Sequence, residues 1–144
     1  MLKYEKIKWK GRNPLRNIYN IENHVDIHNK MTFRVNEKAQ HIHISPARQV
    51  IVDSDAYAFI YIVEEDGEFS YLHFGEDTWP ALLKMLLCGE DPLLSVGEET
   101  IELQQFHEEL EGLIYNIEGN SNYGEEFVAR VETAFQAFLA DDEV

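Results

Sequence analysis

Cysteine occurs once in the chain, at Cys88, so no internal disulfide can form, and the paired cysteine spacing of a structural zinc site is missing. By position, Cys88 reads as a small apolar residue at the end of a helix. Long apolar runs are missing too. None reaches the ~20 residues needed to cross a bilayer, and the basic start from Met1 to Arg16 is not followed by the apolar stretch of a signal peptide. The expected compartment is the cytoplasm. Cations are scarce beyond Arg48: only Lys84 and Arg130 stand there against 23 acids, a balance of −21. The first 48 residues reverse this, with ten basic side chains against four acidic ones, or +6, which completes the overall −15. So acidic a body argues against nucleic acid as a direct ligand, because phosphate contacts need cations on the contacting face.

What is present is enough for a packed core. In 144 residues, 44% are hydrophobic and 12% aromatic, well away from the composition of a disordered chain despite the charge. The expectation is a single domain over residues 1–144, with a basic N-terminal arm at about 1–20 and a short acidic tail at 141–144. Met31, Phe33 and Val35 alternate with Thr32 and Arg34, and Ile42 and Ile44 alternate with His41 and His43, the period of half-buried strands. Val50 to Val52 follows. Ala56 to Val63 is apolar on both parities, as in a central strand covered on two faces. The polar turn Glu64-Glu65-Asp66-Gly67 then returns the chain through Phe69 to Phe74 as a hairpin.

Helical spacing takes over after Asp77 and Thr78, either of which can cap a helix that tolerates Pro80 in its first turn and closes at Gly89. A hairpin signal at Gly97-Glu98-Glu99 separates Leu93 to Val96 from Thr100 to Leu103. Two further helices bury Phe106, Leu110, Leu113, Ile114 and Ile117, and then Phe127, Val131, Ala134, Phe135 and Phe138. The fold class is therefore α+β: a mainly antiparallel sheet of about five to seven strands with three helices, the last two a C-terminal helical hairpin.

From about Val52 to Phe135 the chain resembles the YjbL-like proteins of bacilli and staphylococci, an uncharacterised family. The matching words are Val52-Asp53-Ser54-Asp55, Tyr57-Ala58-Phe59-Ile60-Tyr61, Trp79, Glu102-Leu103 and Phe106-His107-Glu108-Glu109-Leu110. The longest runs from Asn116-Ile117-Glu118-Gly119-Asn120-Ser121-Asn122-Tyr123-Gly124 into Glu125-Glu126-Phe127-Val128, with Val131-Glu132 and Ala134-Phe135 beyond it. The resemblance implies bacterial cytoplasmic kinship and supplies no activity, cofactor or catalytic residue. Residues 1–48 depart from that pattern.

Few constellations could carry chemistry. Gly119 and Gly124 have the outer spacing of a phosphate loop, but Glu125-Glu126 stands where Lys and Ser or Thr would be needed. The segment reads better as a helix-helix corner, with Gly119 in the left-handed C′ position, Asn122 capping the next helix and the two glutamates complementing its dipole. Asn120, Ser121, Asn122 and Tyr123 form the candidate binding site, a dense set of hydrogen-bonding groups on a loop. Asp53-Ser54-Asp55 resembles a phosphoaspartyl motif, but a strand rather than a loop and helix follows it, so it reads as a turn. His24 with His28 and His41 with His43 could each chelate a metal if a carboxylate joined them, although solvated imidazoles are the default. No catalytic residue and no cofactor are expected. The reading is a protein-binding regulator or adaptor. Its partner would be another protein with a basic surface, or a second copy through the basic arm; neither nucleic acid nor membrane is a direct partner. Rival readings are a metal-dependent hydrolase using the histidine cluster and a DNA-mimic inhibitor of a nucleic-acid-binding protein.

Overall fold

Alternating apolar residues place strands, and seven are present among the residues that the computed structural model describes, which are 18–27, 30–35 and 43–141. They are β1 (Ile18–Ile27), β2 (Lys30–Val35), β3 (Ile44–Asp53), β4 (Ala58–Glu65), β5 (Glu68–Gly75), β6 (Leu93–Val96) and β7 (Glu99–Glu102). Four helices join them: α1 (Trp79–Cys88), α2 (Phe106–Ile117), α3 (Glu125–Ala134) and α4 (Gln136–Asp141). Most of the basic arm and the end of the acidic tail lie outside the described residues, as do His28 and His41.

The strands form one sheet in the order β3-β4-β5-β1-β2-β6-β7. It is mixed rather than mainly antiparallel: β1 runs parallel to β5 over Ile18–Asn20, and β2 runs parallel to β6 over Thr32–Arg34. The expected hairpins β4–β5 and β6–β7 are antiparallel, as are β1–β2 and β3–β4. The difference comes from β1, which begins inside the stretch expected to be an arm. Its register shifts between Ile21 and Asn23, and between Ile21 and Val25 it carries only Glu22, Asn23 and His24, so the apolar signal is interrupted midway. The first half of β1 seals the β5 edge and the second half carries β2. The sheet is curled enough that His43, just before edge strand β3, meets Glu99 of the other edge strand at 3.2 Å.

Parity sorts the core. Phe59, Tyr61 and Val63 of β4 join the main core under the helices, while Ile60 and Ile62 join Ile51 in a second small cluster on the opposite face, as expected of a strand covered on both sides. An aromatic knot ties β4 to α1, α3 and the residue after α3: Phe59 lies 5.5 Å from Trp79 and 6.0 Å, edge-on, from Phe135, and Trp79 meets Phe127 edge-on at 6.1 Å. Phe135 also explains why four helices stand where three were expected. Its ring is fully buried in that knot, and its backbone leaves the helix at φ −108°, ψ 19°, so one helical pattern becomes α3 and α4.

The start of α1 departs in detail. Thr78 holds its N-cap position as expected but makes no capping bond with its side chain; residues Glu76–Thr78 form a 3-10 turn in which the Thr78 hydroxyl donates to the Gly75 carbonyl at 2.7 Å. At its end Gly89 takes φ 80° and donates to the Met85 carbonyl, the expected left-handed closure.

A helix corner and its acidic groove as the candidate functional site

The corner is built by backbone need. At the end of α2 Gly119 turns left-handed, φ 68°, and its amide donates to Glu132 Oε2 of α3 at 2.8 Å. A bond between the two helices thereby replaces one that α2 can no longer make. Asn120 works inward. Its Nδ2 donates to the Asn116 carbonyl at 3.1 Å, and its Oδ1 accepts from the Asn122 amide at 3.1 Å, which caps the 3-10 turn Ser121–Tyr123. Asn122 does not cap α3 as expected. Gly124 holds that position without a side-chain bond, and Glu125 and Glu126 stand in the first turn where the helix dipole favours them.

Tyr123 is core, not surface. Only 2% of it is exposed, its ring lies 6.3 Å from that of Phe127, and its hydroxyl accepts from Asn116 Nδ2 at 2.6 Å. Of the four candidate residues, Ser121 and Asn122 are exposed and Asn120 is half-buried.

Beside the corner an open groove of about 540 Å³ runs along α3 and α4. The break at Phe135 shapes it, because α4 leaves the line of α3 there. Its apolar lining is Ala129, Leu139 and Ala140, its neutral polar groups are Thr133 and Gln136, and its charges are Glu118 and Glu132. The cation of α3, Arg130, is committed elsewhere. It bonds Glu76 at 2.8 Å and Glu126 at 2.9 Å, with its guanidinium 4.3 Å above the Tyr57 ring. Desolvation, followed by a hydrogen bond to Glu126, raises the Tyr57 phenol above its ordinary pKa. Among the described residues the groove is therefore lined by two carboxylates and no cation. In the sequence, Ala129, Thr133, Gln136 and Ala140 are marked only by a stripe of small and polar side chains at spacings of three and four.

The other candidates resolve as ordinary structure. Asp53 Oδ1 accepts from the Ala56 amide at 3.3 Å, an Asx-type bond in the β3–β4 turn, so the Asp-Ser-Asp motif is a hairpin turn. His43 pairs with Glu99, while exposed His24 lies on β1, separated from β3 by β4 and β5, with its ring 6.0 Å from that of Phe33. Among the described residues no group of three or more His, Cys, Asp or Glu could hold a metal ion. Also among them, no helix is long and apolar enough to cross a membrane.

The model of a family of unknown function, UPF0738, matches residues 19–135. The chain belongs to UPF0738. Similar members include the UPF0738 protein of Lysinibacillus sphaericus, 42% identical over 127 residues that make up 88% of this chain and 100% of that one. Another is that of Geobacillus kaustophilus, 46% identical over 92 residues, 64% of this chain and 74% of the relative. YjbL of Bacillus subtilis is 43% identical over 90 residues, 62% of this chain and 74% of its own. No solved structure matches. The UPF0738 match starts at residue 19, far upstream of Val52, so β1, β2 and β3 belong to the family pattern, and residues 1–18 lie outside the match.

Proposed function

We propose that this UPF0738 member is a non-enzymatic regulator or adaptor of the cytoplasm that holds a lysine- or arginine-rich segment of another protein in the groove between the corner and α4. One observation carries the reading: the groove offers an apolar floor and two carboxylates, while the cation of α3 is turned away into its own ion pairs. Such a surface accepts the aliphatic stem of a long basic side chain along Ala129 and Leu139 and its charged head at Glu118 or Glu132. The −21 balance beyond Arg48 adds attraction at a distance, which speeds encounter with a basic partner and weakens as salt rises. Ser121 and Asn122, exposed on the corner three and four residues after Glu118, add neutral hydrogen-bonding groups.

The chain's own start supplies a suitable probe. A labelled peptide of residues 1–16, titrated into residues 17–144 and followed by fluorescence anisotropy, should bind in a salt-sensitive way. Reversing charge with Glu118→Lys together with Gln136→Lys should weaken binding about tenfold or more, since like charge placed in an interface is strongly unfavourable. Equal affinity for the reversed groove would remove it as the binding site. Full-length chain that refuses the peptide, while residues 17–144 accept it, would identify the arm itself as the occupant.

A further inference from the structure

Apart from Met1, every sulfur-bearing residue of the chain lines one cavity. The cavity measures about 210 Å³ and opens where the C-terminal half of α1 passes the end of the β1–β2 hairpin and the loop leading to β6. Met85 and Cys88 are three apart on α1 and so share a side of the helix, and Met31 enters from β2. Met85 is 2% exposed, Met31 is half-buried against the main core, and Cys88 is exposed, which sets the two methionines at the floor and the cysteine at the mouth.

The charged groups around the mouth are already engaged. Lys84 is neutralised by Asp26 at 2.9 Å, and Lys30 lies 3.9 Å from Glu102. Asp91 accepts from the Gln105 and His107 amides at 2.9 Å each. Glu90 accepts from the Cys88 thiol, at 3.6 Å.

We propose that Met31, Met85 and Cys88 bind a soft monovalent cation, Cu(I). One thiolate and two thioethers form a donor set that selects Cu(I) over the hard, oxygen-seeking divalent ions. On binding, the Cys88 S–H bond breaks and an S–Cu bond forms. The proton passes to Glu90 and then to solvent, each methionine donates a sulfur lone pair, and the oxidation state of copper does not change. The competing account is that the methionines are flexible fillers of an irregular core gap.

The test uses the full chain under anaerobic, reducing conditions, titrated against the coloured Cu(I) complex of bicinchoninate. The expected result is removal of one Cu(I) per chain with release of one proton. Cys88→Ser and Met31→Leu should each weaken binding by more than the roughly 10–100-fold that loss of an outer partner costs a metal site. Met31→Leu should keep the thermal melt of the parent, so that its effect reads as ligation and not as folding. The proposal falls if the parent chain takes no copper, or if Cys88→Ser takes as much as the parent, which would place the metal on histidines or carboxylates. It also falls if both Met31→Leu and Met85→Leu bind like the parent, which would leave a bare thiol.

Discussion

At Tyr123 a single side chain separates recognition from packing. The loop composition around it suggests an exposed aromatic anchor, but the ring is buried against Phe127 and its hydroxyl is bonded to Asn116. Tyr123→Ala should therefore destabilise the fold by about 3 kcal/mol or more in denaturant titration, the usual effect of emptying an aromatic core site. Gly119→Ala probes the backbone alone: a Cβ there meets nothing within 4 Å, so φ +68° is the whole penalty and about 1 kcal/mol is expected. His73, half-buried on β5, gives the residue-scale pH dependence. Burial lowers its pKa from 6.5, and the Asp53 and Asp77 carboxylates oppose that only in part. Above about pH 6.5 both folded and unfolded chains hold it neutral and its contribution is complete; below, the unfolded chain takes the proton first and stability is lost. His73→Gln should lose less stability than the parent between about pH 7.5 and pH 5.5, measured by chemical unfolding at each pH. An equal loss in both would show that His73 is not the group responsible.

Among the elements, α2 rests on a contact no local pattern announces. Asp91, fourteen residues before Gln105, accepts from the amides of Gln105 and His107 and so caps the helix from across the β6–β7 hairpin. Asp91→Ala should lower stability by about 1–2 kcal/mol, as loss of an N-cap does, with thermal denaturation as the readout. A melt that does not move would mean that water replaces the carboxylate at no net loss. The same distinction between local and distant causes explains what the sequence made legible. Parity in β4 and the helical stripes from Phe106 to Ile117 are local, and the five stripe residues of α2 are all buried. The two parallel pairings, the shifted register of β1 and the curl that brings His43 to Glu99 depend on partners far along the chain. At the site, Gly119 and the acidic first turn of α3 are local and were legible. The break at Phe135 that opens the groove was not, because the aromatic knot with Phe59 and Trp79 causes it, and so overrides an unbroken helical pattern.

For the molecule as a whole, charge is the organising quantity. The folded body presents carboxylates on its helices, on the β4–β5 turn and on the β6–β7 hairpin, so a basic partner could be drawn to any of them. What distinguishes the groove is that its carboxylates sit beside an apolar floor, giving a place to dock and not only a field to follow. Long-range attraction alone would fade uniformly with salt and leave no preferred position, whereas docking keeps its position as affinity falls. The most direct test is therefore location. Amide chemical shifts of isotopically labelled residues 17–144 should be followed as the unlabelled peptide of residues 1–16 is added, at low and at moderate salt. Shifts should concentrate at Glu118, Ser121, Asn122, Ala129, Glu132, Thr133, Gln136 and Leu139 at both salt levels. Shifts spread evenly over the acidic surface, or confined to the β4–β5 turn and the β6–β7 hairpin, would contradict docking in the groove.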